Sequence, residues 1–146
     1  MSSSPASRLP EAFKHMIEDA FENPDFAQKQ ADTMGQFPEL IMMHEPFPAN
    51  GAPAEEWQRF TERSTAAMNL MLDAHKERQA HYDGLVSQGV SGVELYAQML
   101  EFNASQIGYN EKADAYSGQD TGSRTQHFAD MAAYLRGLMS DDVEEA

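Results

Sequence analysis

The sequence has no cysteine and few basic residues. It carries 10 Lys and Arg against 24 Asp and Glu, which gives its 146 residues a formal net charge of -14 at pH 7. Without cysteine, disulfide bonds and thiolate metal sites are excluded. Nucleic acids and anionic membranes attract clusters of Lys and Arg that neutralise phosphate, and this chain has none. We therefore expect no nucleic-acid partner.

Long apolar runs are also missing. No stretch approaches the roughly 20 apolar residues that span a bilayer, and residues 1–10 carry one Arg without the apolar centre of a secretory signal. These absences predict a soluble protein without a transmembrane segment or a recognisable signal, located in the cytoplasm or within a large assembly. No run of alternating β-branched residues predicts a strand, so the expected fold class is all-α.

The remaining composition is that of one folded domain. Hydrophobic residues make up 41% of the chain, and a chain of this length buries about two-thirds of its unfolded surface. Acidic residues outnumber basic ones in each long segment, which predicts an anionic surface on all sides. A high-salt cytoplasm and a need for solubility both explain such a surface.

Helical periodicity divides the chain into an N-terminal helical segment (1–34), a proline-rich linker (35–54), a helical body (55–140) and a solvated acidic tail (141–146). In the first segment Ser7 is a candidate N-cap, and a helix from it stops at Asn23-Pro24. Asn23 then caps a second helix that runs to Met34, with Gly35 as its stop.

The linker and body are predicted from proline, glycine and capping signals. One short helix, Glu39 to His44, is possible in the linker. The longest helix opens after Pro53 and ends at Gly84, and the aliphatic stem of Arg78 belongs to its apolar side. The expected architecture is an antiparallel helical bundle with an N-terminal helical hairpin and a Pro-rich linker.

The next helix opens with the most specific local signal in the chain. Ser91 followed by Glu94 matches a capping box. The helix continues past Gly108 to Tyr116 and closes at Ser117-Gly118. After a polar loop, Ser123 caps the last helix.

Motifs for catalysis and metal binding are absent. The five histidines are His15, His44, His75, His81 and His127, and neither Glu-x-x-His nor His-Glu-x-x-His occurs. Glu11–His15 and Glu77–His81 have the spacing of surface ion pairs. There is no Gly-x-Ser-x-Gly and no Gly-rich phosphate loop. We expect no catalytic residues, no metal and no cofactor; a metal or cofactor site assembled from different helices remains the alternative.

Apolar residues in the linker predict a partner-binding site. They are Leu40, Ile41, Met42, Met43 and Phe47. A small bundle leaves such a linker uncovered, and an exposed apolar patch marks a partner site. Methionine adapts to irregular apolar surfaces. The competing interpretation assigns these side chains to the core.

The stretch Ser91 to Tyr116 resembles the central helix of phasins, the amphipathic helical proteins that coat polyhydroxyalkanoate storage granules. The matching residues are Glu94-Leu95-Tyr96, Glu101-Phe102, Gln106-Ile107 and Tyr109, after the Ala- and Met-rich helix Glu56 to Ala80. The resemblance implies binding to a granule surface or assistance to a polymer synthase, without catalytic residues.

We therefore predict a non-catalytic structural or assembly protein whose amphipathic helices bind a protein partner or an apolar granule surface. It is expected to be a homo-oligomer or a subunit of a larger assembly. The alternatives are a structural subunit of a virion or multi-subunit enzyme, and a metal- or cofactor-binding helical bundle enzyme.

Overall fold

The chain is mainly helical in the part that the structure describes. A computed structural model describes residues 5–145, and the side chains of residues 5–141. Every regular element in that range is helical, which confirms the all-α fold class. The helices are α1 (Pro5–Arg8), α2 (Glu11–Glu22), α3 (Pro24–Gln36), α4 (Ala54–Ser87), α5 (Gly92–Ser105), α6 (Ile107–Ser117) and α7 (Ser123–Glu145). None of these helices combines the length and the apolarity needed to cross a bilayer.

Helix α5 lies at the centre of the bundle. It packs against α3, α4 and α7, while α2 packs against α3 and α7. The buried side chains of α5 are Leu95, Tyr96, Ala97, Met99, Leu100 and Asn103. Around them the core takes Ile17 from α2, Ala31 from α3 and Leu135 from α7. Burial of these side chains is the main force that holds the helices together.

Two helix boundaries follow the local signals in the sequence. The side-chain oxygen of Asn23 accepts hydrogen bonds from the backbone N–H groups of Asp25 and Phe26, at 3.1 and 3.3 Å. Gly118 ends α6 with φ +73°, a left-handed conformation that only glycine adopts without strain. The predicted cap at Asn23 and the predicted end at Ser117-Gly118 are confirmed.

The predicted helix start at Ser7 is wrong. Helix α2 begins at Glu11, directly after Pro10. Proline disfavours a helical conformation in the residue before it, so a helix from Ser7 is interrupted at Leu9. The predicted end at Gly84 is also wrong, because α4 continues to Ser87. One glycine in a helix costs only about 1 kcal/mol.

Gly35 does not stop α3, as predicted; it lies inside the helix and is buried. A Cβ atom at this position would lie 2.2 Å from Cγ of Tyr82. Gly35 therefore lets α3 approach the Tyr82 ring of α4. The hydroxyl of Tyr82 donates to Asp32 at 2.6 Å, which adds a polar contact between the same two helices.

Residues 37–53 form no helix, so the predicted short helix from Glu39 to His44 is wrong. Pro46 follows His44 by two residues; it cannot donate the N–H that the last turn of such a helix requires, and its ring disfavours a helical conformation at Glu45. Side chains alternate along the extended chain: Leu40 and Met42 are exposed, whereas Ile41 and Met43 are half-buried.

The helix predicted from Ser91 to Tyr116 is two helices. The chain breaks at Gln106, whose φ and ψ are -82° and 60°. The Gln106 side chain accepts from Nε of Arg78 at 2.6 Å, and donates to the carbonyl of Ala74 at 3.2 Å and to Glu77 at 3.1 Å. The break between α5 and α6 therefore places the side-chain amide of Gln106 against α4.

The predicted capping box does not form. Ser91 is the N-cap residue of α5, but its side chain makes no capping bond. The N–H of Gly92 donates instead to Gln28 of α3 at 2.7 Å. Glu94 pairs with Arg136 of α7 at 2.7 Å. Partners from neighbouring helices have replaced the local ones.

The last helix begins at Ser123, so Ser123 is its first helical residue and not the predicted N-cap; the N–H of Gln126 donates to the carbonyl of Gly122. The backbone of α7 continues through Glu145 and so includes most of the acidic segment 141–146. Residues 1–4 of the predicted N-terminal segment and Ala146 of the acidic segment lie outside the described residues.

We expect Gly35→Ala to lower the free energy of unfolding by about 1–3 kcal/mol, because the added methyl group overlaps the Tyr82 ring. Gly137→Ala is the matched control, since Gly137 lies in a helix with no atom within 4 Å of the added Cβ. The control should be neutral or slightly stabilising. Urea unfolding followed by circular dichroism measures both. Equal effects would contradict the close approach.

The two N-caps should differ in stability measurements. Asn23→Ala removes two capping bonds and should cost about 1 kcal/mol. Ser91→Ala removes a side chain without a capping bond, so its effect should be much smaller. Thermal unfolding of the two variants makes the comparison, and a larger loss for Ser91→Ala would refute the cap assignment.

Candidate functional site

All five linker residues predicted to bind a partner line one groove of about 360 Å³. We call it the linker groove. The apolar residues on the linker side are Leu40, Ile41, Met42, Met43 and Phe47. The helix side includes Phe60, Ala67, Met68 and Met71 of α4. Sequence reasoning identified the linker side only, because a helical stripe on α4 has the same pattern whether it is buried or exposed.

The three most exposed large apolar residues of the described part of the chain line this groove, together with Met68 of α4. Leu40 is 73% exposed, Met42 75% and Phe47 77%, and Met68 of α4 is 56% exposed. The half-buried residues fasten the linker to the bundle: Ile41 packs against the small cluster around Tyr109. The groove therefore presents apolar surface to solvent on both of its sides.

Two further contacts attach the linker to α4. The Phe47 ring lies 5.0 Å from the Phe60 ring, measured between centroids. The hydroxyl of Ser64 donates to Sδ of Met43 at 3.6 Å. The linker side of the groove is thus packed onto the helix side along its length.

The first half of α4 has little cover from the rest of the bundle. Between Ala54 and Asp73 only Ala67 is buried, whereas Ala74, Arg78, Tyr82 and Leu85 are all buried in the second half. The neighbours of the first half include the linker and α6, where Arg63 lies over the Tyr116 ring, 5.5 Å from its centroid. The low burial of this half leaves its apolar side available to a binding partner.

The groove is nearly free of charge. Its one charged lining residue is Glu45, which pairs with Arg63 at 2.6 Å. In a chain with a net charge of -14, this is a local neutral surface. An uncharged apolar partner meets no repulsion here.

A buried ionic centre, which sequence reasoning missed, holds the linker beside the groove. Arg78 is 3% exposed, and its Nη1 lies 3.1 Å from Oε2 of Glu39. Arg124 of α7 pairs with the other oxygen of the same carboxylate. Both guanidinium groups lie over the Tyr109 ring, 4.9 and 5.7 Å from its centroid. The sequence predicted only that the aliphatic stem of Arg78 belongs to the apolar side of α4; it did not predict an ion pair.

Burial governs the electrostatics of this centre. It is the main cause that lowers the pKa of Arg78, and it also lowers the pKa of Arg124. Arginine starts from a pKa of about 12 or above, so both groups stay charged at neutral pH. Burial raises the pKa of Tyr109, which stays neutral. The centre therefore sets two cations against the Glu39 carboxylate.

The histidines are dispersed. His15 lies 3.4 Å from Glu11, as the spacing predicted, and 3.1 Å from Glu18. The predicted Glu77–His81 pair is wrong: the His81 ring stacks on Phe102 at 4.3 Å, and Glu77 accepts from Gln106. In residues 5–141, no three His, Asp or Glu side chains gather where they could hold a metal ion.

Loss of the Glu39 charge should destabilise the fold more than loss of an exposed carboxylate. Glu39→Gln removes the carboxylate that pairs with both mostly buried guanidinium groups, and we expect a loss of about 1–3 kcal/mol. Glu45→Gln breaks the half-exposed pair with Arg63 and should cost less than about 1 kcal/mol. Urea unfolding at pH 7 tests both variants. A larger cost for Glu45→Gln would show that the centre is not the stronger attachment.

Comparison with known proteins finds no matching family model, no matching curated protein and no matching solved structure. Function is therefore argued from the linker groove and the ionic centre themselves.

Proposed function

We propose that this chain is a non-catalytic assembly protein that binds an uncharged apolar surface through its linker groove. In its most specific form it is a phasin-like coat protein of polyester storage granules. One observation carries the proposal: Leu40, Met42, Phe47 and Met68 are each more than half exposed around a single groove.

Grouping is what makes these side chains significant. Burying one large apolar side chain contributes about 1.5–3 kcal/mol, whereas association costs an estimated 4–15 kcal/mol in lost freedom. Burial of a single exposed residue does not offset the cost of association. Burial of several residues in the same interface does offset it. Contiguous apolar patches of this kind mark binding surfaces.

The composition of the groove favours a surface over a shaped small ligand. Four methionines line it, namely Met42, Met43, Met68 and Met71. Their unbranched side chains adapt to irregular apolar contacts. An amorphous polyester presents such contacts without a fixed shape, which suits methionine better than rigid aromatic side chains.

The anionic remainder of the chain complements this use. A protein with one neutral apolar groove and a net charge of -14 is amphipathic as a whole molecule. Bound to a particle, it places its charge toward water, and particles coated in this way repel one another. Anionic membranes and nucleic acids repel the anionic surface of this protein.

Sedimentation with particles of poly(3-hydroxybutyrate) tests the proposal. The wild-type protein should pellet with the particles. The triple variant Leu40→Ser, Met42→Ser, Phe47→Ser should bind at least ten-fold more weakly, because it removes three of the most exposed groove side chains. The control Val86→Ser, Ile107→Ser removes apolar side chains that are 45% and 53% exposed and do not line the groove; it should bind like the wild type.

Two results would refute the proposal. Wild-type protein that stays in the supernatant would do so, as would equal loss of binding in the triple variant and the control. Circular dichroism of each variant shows whether the fold is intact. A different result would favour the alternative of a structural subunit in a larger assembly. In that case another protein co-purifies in stoichiometric amount with the wild type but not with the triple variant, and the wild type does not bind the particles.

A further inference from the structure

The chain exposes more surface than a compact monomer of its size. Its accessible surface is 8805 Å², whereas a folded monomer of 16.3 kDa exposes about 7,500 Å². The difference exceeds the roughly 800 Å² that each partner buries in a stable protein interface. The exposed surface is therefore large enough to supply one further interface.

Helix α4 accounts for part of this excess. Its 34 residues extend over about 51 Å at 1.5 Å per residue, whereas a compact domain of 146 residues is about 38 Å across. All of its buried residues except Ala67 lie from Ala74 onward, so the bundle leaves the first half of the helix uncovered. The linker groove lies along this half.

Charge restricts where a second copy of the chain can bind. At a net charge of -14 per chain, two copies repel each other over most of their surfaces. The linker groove avoids this repulsion, because its one charged lining residue, Glu45, pairs with Arg63. Two copies that meet groove to groove therefore bring together neutral apolar surfaces.

The groove combines projecting side chains with a recess. On the linker side Leu40, Met42 and Phe47 project into solvent. Ala67 and Met71 of α4 line a recess beside them, since Ala67 is buried and Met71 is half-buried. A two-fold axis brings the same surface of both copies together. The projecting side chains of each copy then enter the recess of the other.

We propose that the free protein is a two-fold dimer in which the linker groove and the first half of α4 of one copy cover those of the other. The occupant of the groove in solution is thus a second copy of this chain. One consequence rests on the proposed function, which assigns the same groove to a polyester surface. The particle and the second copy compete for the groove, and the dimer keeps it covered until a particle binds.

Sedimentation equilibrium of the full chain tests the dimer. The wild type should be dimeric. Its association should be at least ten-fold stronger in roughly 1 M than in roughly 0.1 M NaCl, because salt screens the repulsion between the two chains. The triple variant Leu40→Ser, Met42→Ser, Phe47→Ser should associate at least ten-fold more weakly. The control Val86→Ser, Ile107→Ser should dimerise like the wild type, and circular dichroism shows whether each variant folds.

A single thiol locates the interface without the serine variants. The chain has no cysteine, so Met68→Cys introduces a unique thiol on the exposed helix side of the groove. Its alkylation by a maleimide should slow several-fold as the protein concentration rises and dimers form, because the second copy covers it. Val86→Cys is the matched control, since Val86 is 45% exposed and lies outside the groove. The rate of the control should not change.

Three results would overturn the dimer. They are a wild type that stays monomeric at both salt concentrations, a triple variant that associates as strongly as the wild type, and equal alkylation behaviour of the two thiols. The result with particles separates this inference from the proposed function. A monomeric wild type that pellets with poly(3-hydroxybutyrate) particles refutes the dimer alone, whereas a groove-dependent dimer that stays in the supernatant refutes the proposed function alone.

Discussion

The buried charge of Arg78 is the constraint on which much of the molecule depends. A guanidinium group that is 3% exposed is stable only if bonds within the protein replace its lost hydration. Glu39 supplies a carboxylate, Gln106 an amide oxygen and Tyr109 the face of an aromatic ring. Glu39 lies in the linker and Gln106 interrupts what would otherwise be one helix. One side chain therefore contacts both the linker beside the groove and the break between α5 and α6.

Features set by neighbours within one or two helical turns were predictable from the sequence. Helical periodicity predicted the all-α fold class. Asn23-Pro24 predicted a boundary between two helices, and Ser117-Gly118 predicted the end of α6, because a cap depends on the few residues beside it. Prolines predicted that the linker stays out of the helices, and the linker residues named from the sequence line one groove; their binding to a partner stays a prediction.

Features set by residues distant in sequence were not predictable in the same way. Gly35 looked like a stop until the Tyr82 ring of another helix was known to lie against it. Ser91 and Glu94 have the spacing of a capping box, but the Glu94 side chain pairs with Arg136 of α7 instead, and the adjacent Gly92 N–H donates to Gln28 of α3. The ionic centre left one signal, an arginine within the apolar stripe of α4. An arginine that buries only its aliphatic stem and extends its charged group to solvent gives the same sequence pattern.

The linker is fastened at both ends of its exposed apolar stretch. Glu39 is held by the two arginines, and the backbone N–H of His44 donates to the carbonyl of Tyr116 at 2.9 Å. Residues 40–43 thus span two fixed points in an extended conformation. Backbone ordering costs about 1–2 kcal/mol per residue, and here folding has already met that cost. A partner that binds in the groove contacts side chains on a preorganised backbone. The entropic cost of ordering the linker backbone therefore does not weaken its affinity.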